Sequence, residues 1–178
     1  MKTFKTVSKL ALVVLTVFMV SCSKDDPAPT PTPTPIPASG SFITATVDGT
    51  AFSTNIFGVS TASVNRVGTG PNALIQILGS DLSASSISIN LIDLNIVAGQ
   101  TYNLNPSLDG SVIAYVSAST SGAFGTGICE GSSGTMRITA YDNTKIEGTF
   151  SFIGKNGDNC SATAKNVTNG SFRGVFTN

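Results

Sequence analysis

The chain has no histidine and no tryptophan. The commonest general base and the commonest metal ligand are therefore both missing. So is the largest aromatic platform for a sugar ring. Charged residues make up 11% of the chain, about half the share of an average soluble domain. Three of the ten basic residues, Lys2, Lys5 and Lys9, fall in residues 1–21; without that segment seven basic residues face ten acidic ones, a net charge of −3. No Lys/Arg cluster remains, so nucleic acid is not an expected partner. Low charge does not mean disorder here, because β-branched residues are plentiful.

No apolar run is long enough to span a bilayer. Residues 10–20 are the longest such run, and eleven helical residues reach only roughly 17 Å against a hydrocarbon core of about 30 Å. Lys2, Lys5 and Lys9 precede this run and Ser21 follows it. That order is a secretory signal: positive start, apolar middle, small residue before the cut. Residues 1–21 are expected to be removed.

Residues 27–38 read PAPTPTPTPIPA. Alternating proline favours extended polyproline II, so these twelve residues can reach roughly 37 Å. Residues 22–40 are expected to form a stalk, and residues 41–178 the folded domain.

From residue 41 the pattern changes to short β-runs punctuated by Gly, Asn and Asp. Residues 42–47 run into Asp48-Gly49, a favoured type I′ hairpin pair, with residues 50–54 returning. Residues 57–64 read as one further extended stretch. Residues 73–79, 86–94, 101–104 and 112–118 follow; Ile87, Ile89 and Leu91 share a face. Residues 119–134 read as a long irregular segment. Then residues 135–142 and 146–153 read as a hairpin, with Ile146, Phe150 and Phe152 facing inward. Residues 161–167 and 171–176 close the chain, separated by an Asn169-Gly170 turn, with Phe172 and Phe176 inward. No window of a dozen residues carries the helical period with caps. About ten antiparallel strands must each bury one face, which predicts an all-β fold: a β-sandwich or a flattened β-barrel.

The three cysteines divide as one and two. Cys22 lies at the predicted cut, which leaves Cys129 and Cys160 for an oxidising compartment. Directly opposed strand residues share a face, so even-numbered apolar positions oppose even-numbered ones. Setting Asp142 opposite Ile146 does this. Ile138 then meets Phe150, Met136 meets Phe152, and Cys129 lies opposite Asn159, beside Cys160. A structural disulfide between Cys129 and Cys160 is expected at the open end of that hairpin. Two thiols without histidine make a poor metal site.

Other patterns carry no chemistry. Residues 125–131 are glycine-rich but miss the dinucleotide spacing, and no helix follows. Residues 131–134 lack the spacing of a nucleophile elbow. Residues 156–159 lack the spacing and closing Glu of a calcium loop. Asp142 and Glu147 could be imagined as a glycosidase pair, but Glu147 lies on the polar face of a regular strand. Three Asn-X-Ser/Thr sequons begin at Asn159, Asn166 and Asn169 and read as chance matches.

Met19-Val20-Ser21-Cys22 resembles the lipobox of bacterial lipoproteins, with Met19 in place of the preferred Leu. The resemblance implies a diacylglycerol thioether on Cys22 and an acylated new N-terminus, hence a firm membrane anchor. Lys24-Asp25-Asp26, just after Cys22, looks like the signal that sends Bacteroidota lipoproteins to the cell surface. The opening FITATVDGTAFS and the closing GTMRITAYDNTKIEGTFSFIG and VTNGSFRGVF resemble small Bacteroidota lipoproteins with a β-rich domain of no assigned function. The resemblance implies a β-rich fold and an outer-membrane location, at the cell surface or on the periplasmic face. It brings no catalytic residue and no cofactor.

The expected role is a non-enzymatic binding or envelope-structural module with a protein or glycan partner. A calycin-like barrel lined by Ile87, Ile89, Phe150 and Phe152, holding a small apolar ligand, is one alternative. A carboxylate-based hydrolase is the other.

Overall fold

The computed structural model describes residues 39–92, 95–106 and 110–177. The predicted signal segment, Cys22, the Lys24-Asp25-Asp26 signal and the proline stretch lie outside the described residues.

Two-residue turns set the opening. Asp48 and Gly49 have φ of 47° and 83°, the left-handed pair that a type I′ turn needs. They join β1 (Phe42–Val47) to β2 (Thr50–Ser53), with Val47 opposite Thr50. The stretch expected to be extended over residues 57–64 instead folds back on itself. β3 (Asn55–Ile56) and β4 (Val59–Ser60) form a hairpin around Phe57-Gly58, and β5 (Ser63–Val67) follows. Extended propensity alone cannot reveal a reversal at a residue as unsuited to positive φ as Phe57.

β6 (Leu74–Ser80), β7 (Ser86–Leu91), β8 (Thr101–Leu104) and β9 (Val112–Val116) fall close to their expected places. β10 (Ala123–Gly125) lies within the segment expected to be irregular. It pairs with β9 on one side and with the end of β12 on the other. Three residues of Ala-Phe-Gly carry no alternation long enough to read as a strand. β11 (Ser133–Tyr141), β12 (Lys145–Asn156) and β13 (Lys165–Val175) complete the chain.

The fold is all-β. Eleven antiparallel strands form a sheet curled into a half-barrel. Its order is β2-β1-β13-β12-β10-β9-β7-β6-β5, with β11 and β8 branching from β12. The branch exists because β12 is twelve residues long. Its early part pairs with β11, and its end with β10. Near the two ends of the curl, Thr61 N–H donates to Thr54 O at 2.9 Å and the Thr61 hydroxyl donates to Ser80 O. Thr54 is fully buried; its Oγ1 accepts from Ile43 N–H at 2.8 Å.

The curl depends on glycine. Three phenylalanines of the inner face each sit directly opposite a glycine: Phe152 on Gly134, Phe150 on Gly170 and Phe172 on Gly148. At Gly148 and Gly170 the rings of Phe172 and Phe150 occupy the space a side chain would take; at Gly134 the Phe152 Cβ and the Thr126 methyl do. This explains why the β11–β12 register differs from expectation. Met136 opposes Phe150 and Ile138 opposes Gly148, two residues along from the predicted pairing. The parity argument holds as far as Ile138, which meets a glycine; a bulge after Ile138 then shifts the pairing by one, so that Tyr141 and not Asp142 opposes Ile146. At that turn Asp142 Oδ1 accepts from the Thr144 and Lys145 amides at 2.6 and 3.0 Å.

Asn169-Gly170 is not a turn. β13 runs straight through it, and Asn169, at φ 52°, is the extra residue of a bulge seen from both β12 and β1. An Asn-Gly pair supplies left-handed backbone, which serves a bulge as well as a turn.

The core lies inside the curl. Ile75, Ile77, Ile87, Ile89 and Ile113 from one half pack against Ile43, Ile138, Ile146, Phe150, Phe152 and Phe172 from the other. Phe150 and Phe152 stack with centroids 6.3 Å apart. Phe172 and Phe176 are buried as expected. Cys129 and Cys160 form a disulfide with Cα atoms 5.4 Å apart, closing the open end of the β11–β12 hairpin.

Candidate functional site

The inner faces of β8, β11, β12 and β13 are apolar, so period-two alternation sends their Ser, Thr and Asn side chains outward. Register lines these up across the strands. Thr101, Arg137, Thr149, Ser171 and Thr44 form one row, each opposite the next. Asn103, Thr135 and Ser151 form the next, continued by Thr168 and Thr46 past the Asn169 bulge.

Short side chains over a bulged sheet leave hollows. One of about 470 Å³ is lined by Asn103, Ser133, Thr135, Ser151, Asn166 and Thr168, among others. A second of about 660 Å³ is lined by Thr101, Thr135, Arg137, Thr149, Ser151 and Thr168, among others. Thr135, Ser151 and Thr168 belong to both, so the two form one trough. Thr135 and Ser151 share a hydrogen bond of 3.2 Å. Arg137 has no carboxylate partner and no side-chain hydrogen bond among the described residues. Its five donors are available to a planar anion.

Several other charged groups are committed to partners of their own. Glu147 accepts from Arg173 at 2.6 Å and lies 3.2 Å from Lys145. The Arg173 hydrogen bond, with help from Lys145, holds its carboxyl below the ordinary value. The Thr144 hydroxyl and the turn amides do the same for Asp142. Asp48 bonds Lys165 at 2.8 Å and the Asn166 amide at 2.9 Å, which lowers its pKa and raises that of Lys165. This clamp ties the β1–β2 turn to the start of β13. A cleft of about 240 Å³ beside it is also lined by Asp81, Tyr115 and several serines. Asp81 Oδ1 is already occupied by the amides of Ser83 and Ser85 at 2.8 and 3.0 Å. The polar groups of that cleft hold loops in place.

Sequence reasoning brought forward Asp142 and Glu147 as the carboxylates to examine. A general acid needs a raised pKa, and both are lowered. Residues 156–159 form the expected turn: Asn156 Oδ1 accepts from the Asp158 amide at 2.9 Å. No group of three or more His, Cys, Asp or Glu able to hold a metal occurs among the described residues. Arg137 and the hydroxyl rows were missed. Odd-numbered Thr135 and Arg137 signalled an outward face, but only cross-strand register shows that four strands contribute to one surface. No family model, no curated protein and no solved structure matches the chain.

Proposed function

We propose that the chain is a non-enzymatic binding module, anchored in the outer membrane through lipid on Cys22 and displayed at the cell surface. Its ligand is an extended, carboxylate-bearing glycan lying in the trough on the outer face. The observation that carries this reading is a trough in which Ser, Thr and Asn side chains sit among apolar surface from residues such as Leu104 and Ile153, with an uncommitted Arg137 in it. Hydroxyl and amide groups exchange hydrogen bonds with sugar hydroxyls, and the guanidinium forks onto a carboxylate. The missing tryptophan limits stacking, so affinity would rest on many weak polar contacts along a polymer.

The apolar-ligand reading asks for space among Ile87, Ile89, Phe150 and Phe152. All four are buried in one packed cluster, which favours a filled interior. The hydrolase reading asks for a protonated carboxyl; the lowered pKa values of Asp142 and Glu147 weigh against these two residues in that role.

The test is affinity electrophoresis of the protein through gels containing polygalacturonate or neutral dextran. Retardation by polygalacturonate is expected. Arg137→Ala should weaken it about tenfold, which corresponds to about 1.4 kcal/mol, with an unchanged circular dichroism spectrum. Equal mobility in both gels would remove the glycan reading. Mass spectrometry of the N-terminus and protease shaving of whole cells test the anchor and its display separately.

A further inference from the structure

The chain makes the same tight turn twice. Asp48-Gly49 has φ of 47° and 83°, and Phe57-Gly58 has φ of 51° and 85°. The first turn carries a residue that suits left-handed backbone. The second places a bulky aromatic there, where such geometry is a genuine outlier. The Phe57 ring gains nothing from the core in return: it is 93% exposed, and Val59 beside it is 70% exposed. The tip therefore opposes folding preference twice, in backbone and in solvation.

The hairpin is held firmly at its base. Thr54 bonds Ile43 through both backbone and side chain, and Thr61 bonds Thr54 and Ser80. β2 runs back toward the start of β1, so the hairpin leaves the sheet at the end where β1 begins. From Gly49 to Asn65 there is no charged residue. Such a tip can leave water without stripping a charge.

We propose that Phe57 and Val59 form a membrane-contact tip, with Phe57 seated at the boundary between headgroups and acyl chains. The inference rests on the lipid anchor at Cys22. With residues 27–38 reaching at most roughly 37 Å if fully extended, the anchor would keep the domain near the bilayer, and a tether turns a weak contact into an intramolecular one. A lone aromatic tip, too weak to recruit a soluble protein, is then sufficient to orient a tethered one.

The chain's lack of tryptophan makes the test free of background. The mature lipidated protein carrying Phe57→Trp is reconstituted into vesicles of phosphatidylethanolamine and phosphatidylglycerol. The expected result is co-flotation, emission at shorter wavelength than in detergent-free buffer with urea, and quenching by brominated acyl chains. Co-flotation with water-like, unquenched emission would overturn the membrane tip and leave the anchor intact. Failure to co-float would overturn the anchor, and the tip with it. A second variant, Phe57→Asn, separates this role from folding. It should raise the thermal midpoint, because Asn accepts the turn's backbone, while increasing the domain's rotational freedom on the vesicle. A lowered midpoint would mean that Phe57 serves the fold, against the proposal.

Discussion

Gly148→Ala should destabilise the domain although alanine is otherwise the better residue. Gly148 is not in the left-handed region, so backbone freedom is not at issue. An added Cβ would sit 2.5 Å from the Arg137 carbonyl oxygen and 2.7 Å from two ring atoms of Phe172. Ordinary carbon–oxygen contacts are about 3.3–3.6 Å, so something must move by about 0.8 Å. The carbonyl cannot easily retreat, because β11 is held between β12 and β8. The Phe172 ring is 1% exposed and lies 6.2 Å from the Phe150 ring. Overpacking of this kind costs about 3 kcal/mol at the upper end. Lower unfolded-state entropy returns roughly 0.4–1 kcal/mol. The net loss is about 2 kcal/mol, or roughly 5–10 °C in the thermal midpoint of a domain this size. Urea unfolding followed by far-ultraviolet circular dichroism should show a lower midpoint at unchanged slope. Gly174→Ala provides the contrast. Its Cβ would meet Val64 Cγ2 at 2.6 Å, a side-chain methyl that truncation can remove, rather than backbone. Combining it with Val64→Ala should recover about 1 kcal/mol in a double-mutant cycle. If Gly148→Ala lies within about 0.5 kcal/mol of the parent, ordinary surface scatter, the ring-over-glycine account of the curl is wrong.

Replacing both Cys129 and Cys160 by Ala opens a link with a sequence separation of 31. The chain-entropy relation gives a loss of about 3.7 kcal/mol, readable in the same urea titration; equal stability would show that the bridge constrains little. Stability should also fall at both extremes of pH. Glu147 and Asp48 have depressed pKa values, so their contribution is present above their ordinary values of 4.5 and 3.8 and is lost as pH falls through the folded ones. Lys165 is raised, so its contribution is present below 10.5 and lost as pH rises through its folded value. Thermal midpoints across pH should show both limbs; Glu147→Gln should flatten the acid limb, and an unchanged acid limb would mean that the Arg173 pair contributes nothing.

The sequence by itself determined what alternation and turn chemistry can carry. It determined the all-β class, the inward faces of β7, β12 and β13, the Asp48-Gly49 hairpin and the Cys129–Cys160 pairing. These are short-range patterns or simple elimination, and a period of two is the same wherever a strand lies. Tertiary structure alone decided the rest. Whether Asn169-Gly170 turns or bulges depends on the strands beside it, since both uses need the same left-handed backbone. The β11–β12 register depended on which phenylalanine found a glycine across the ladder. The trough around Arg137 exists only because β8 joins the consecutive strands β11, β12 and β13 so that their outer faces lie together. Local propensity specifies which way a side chain points; only packing specifies what stands opposite it.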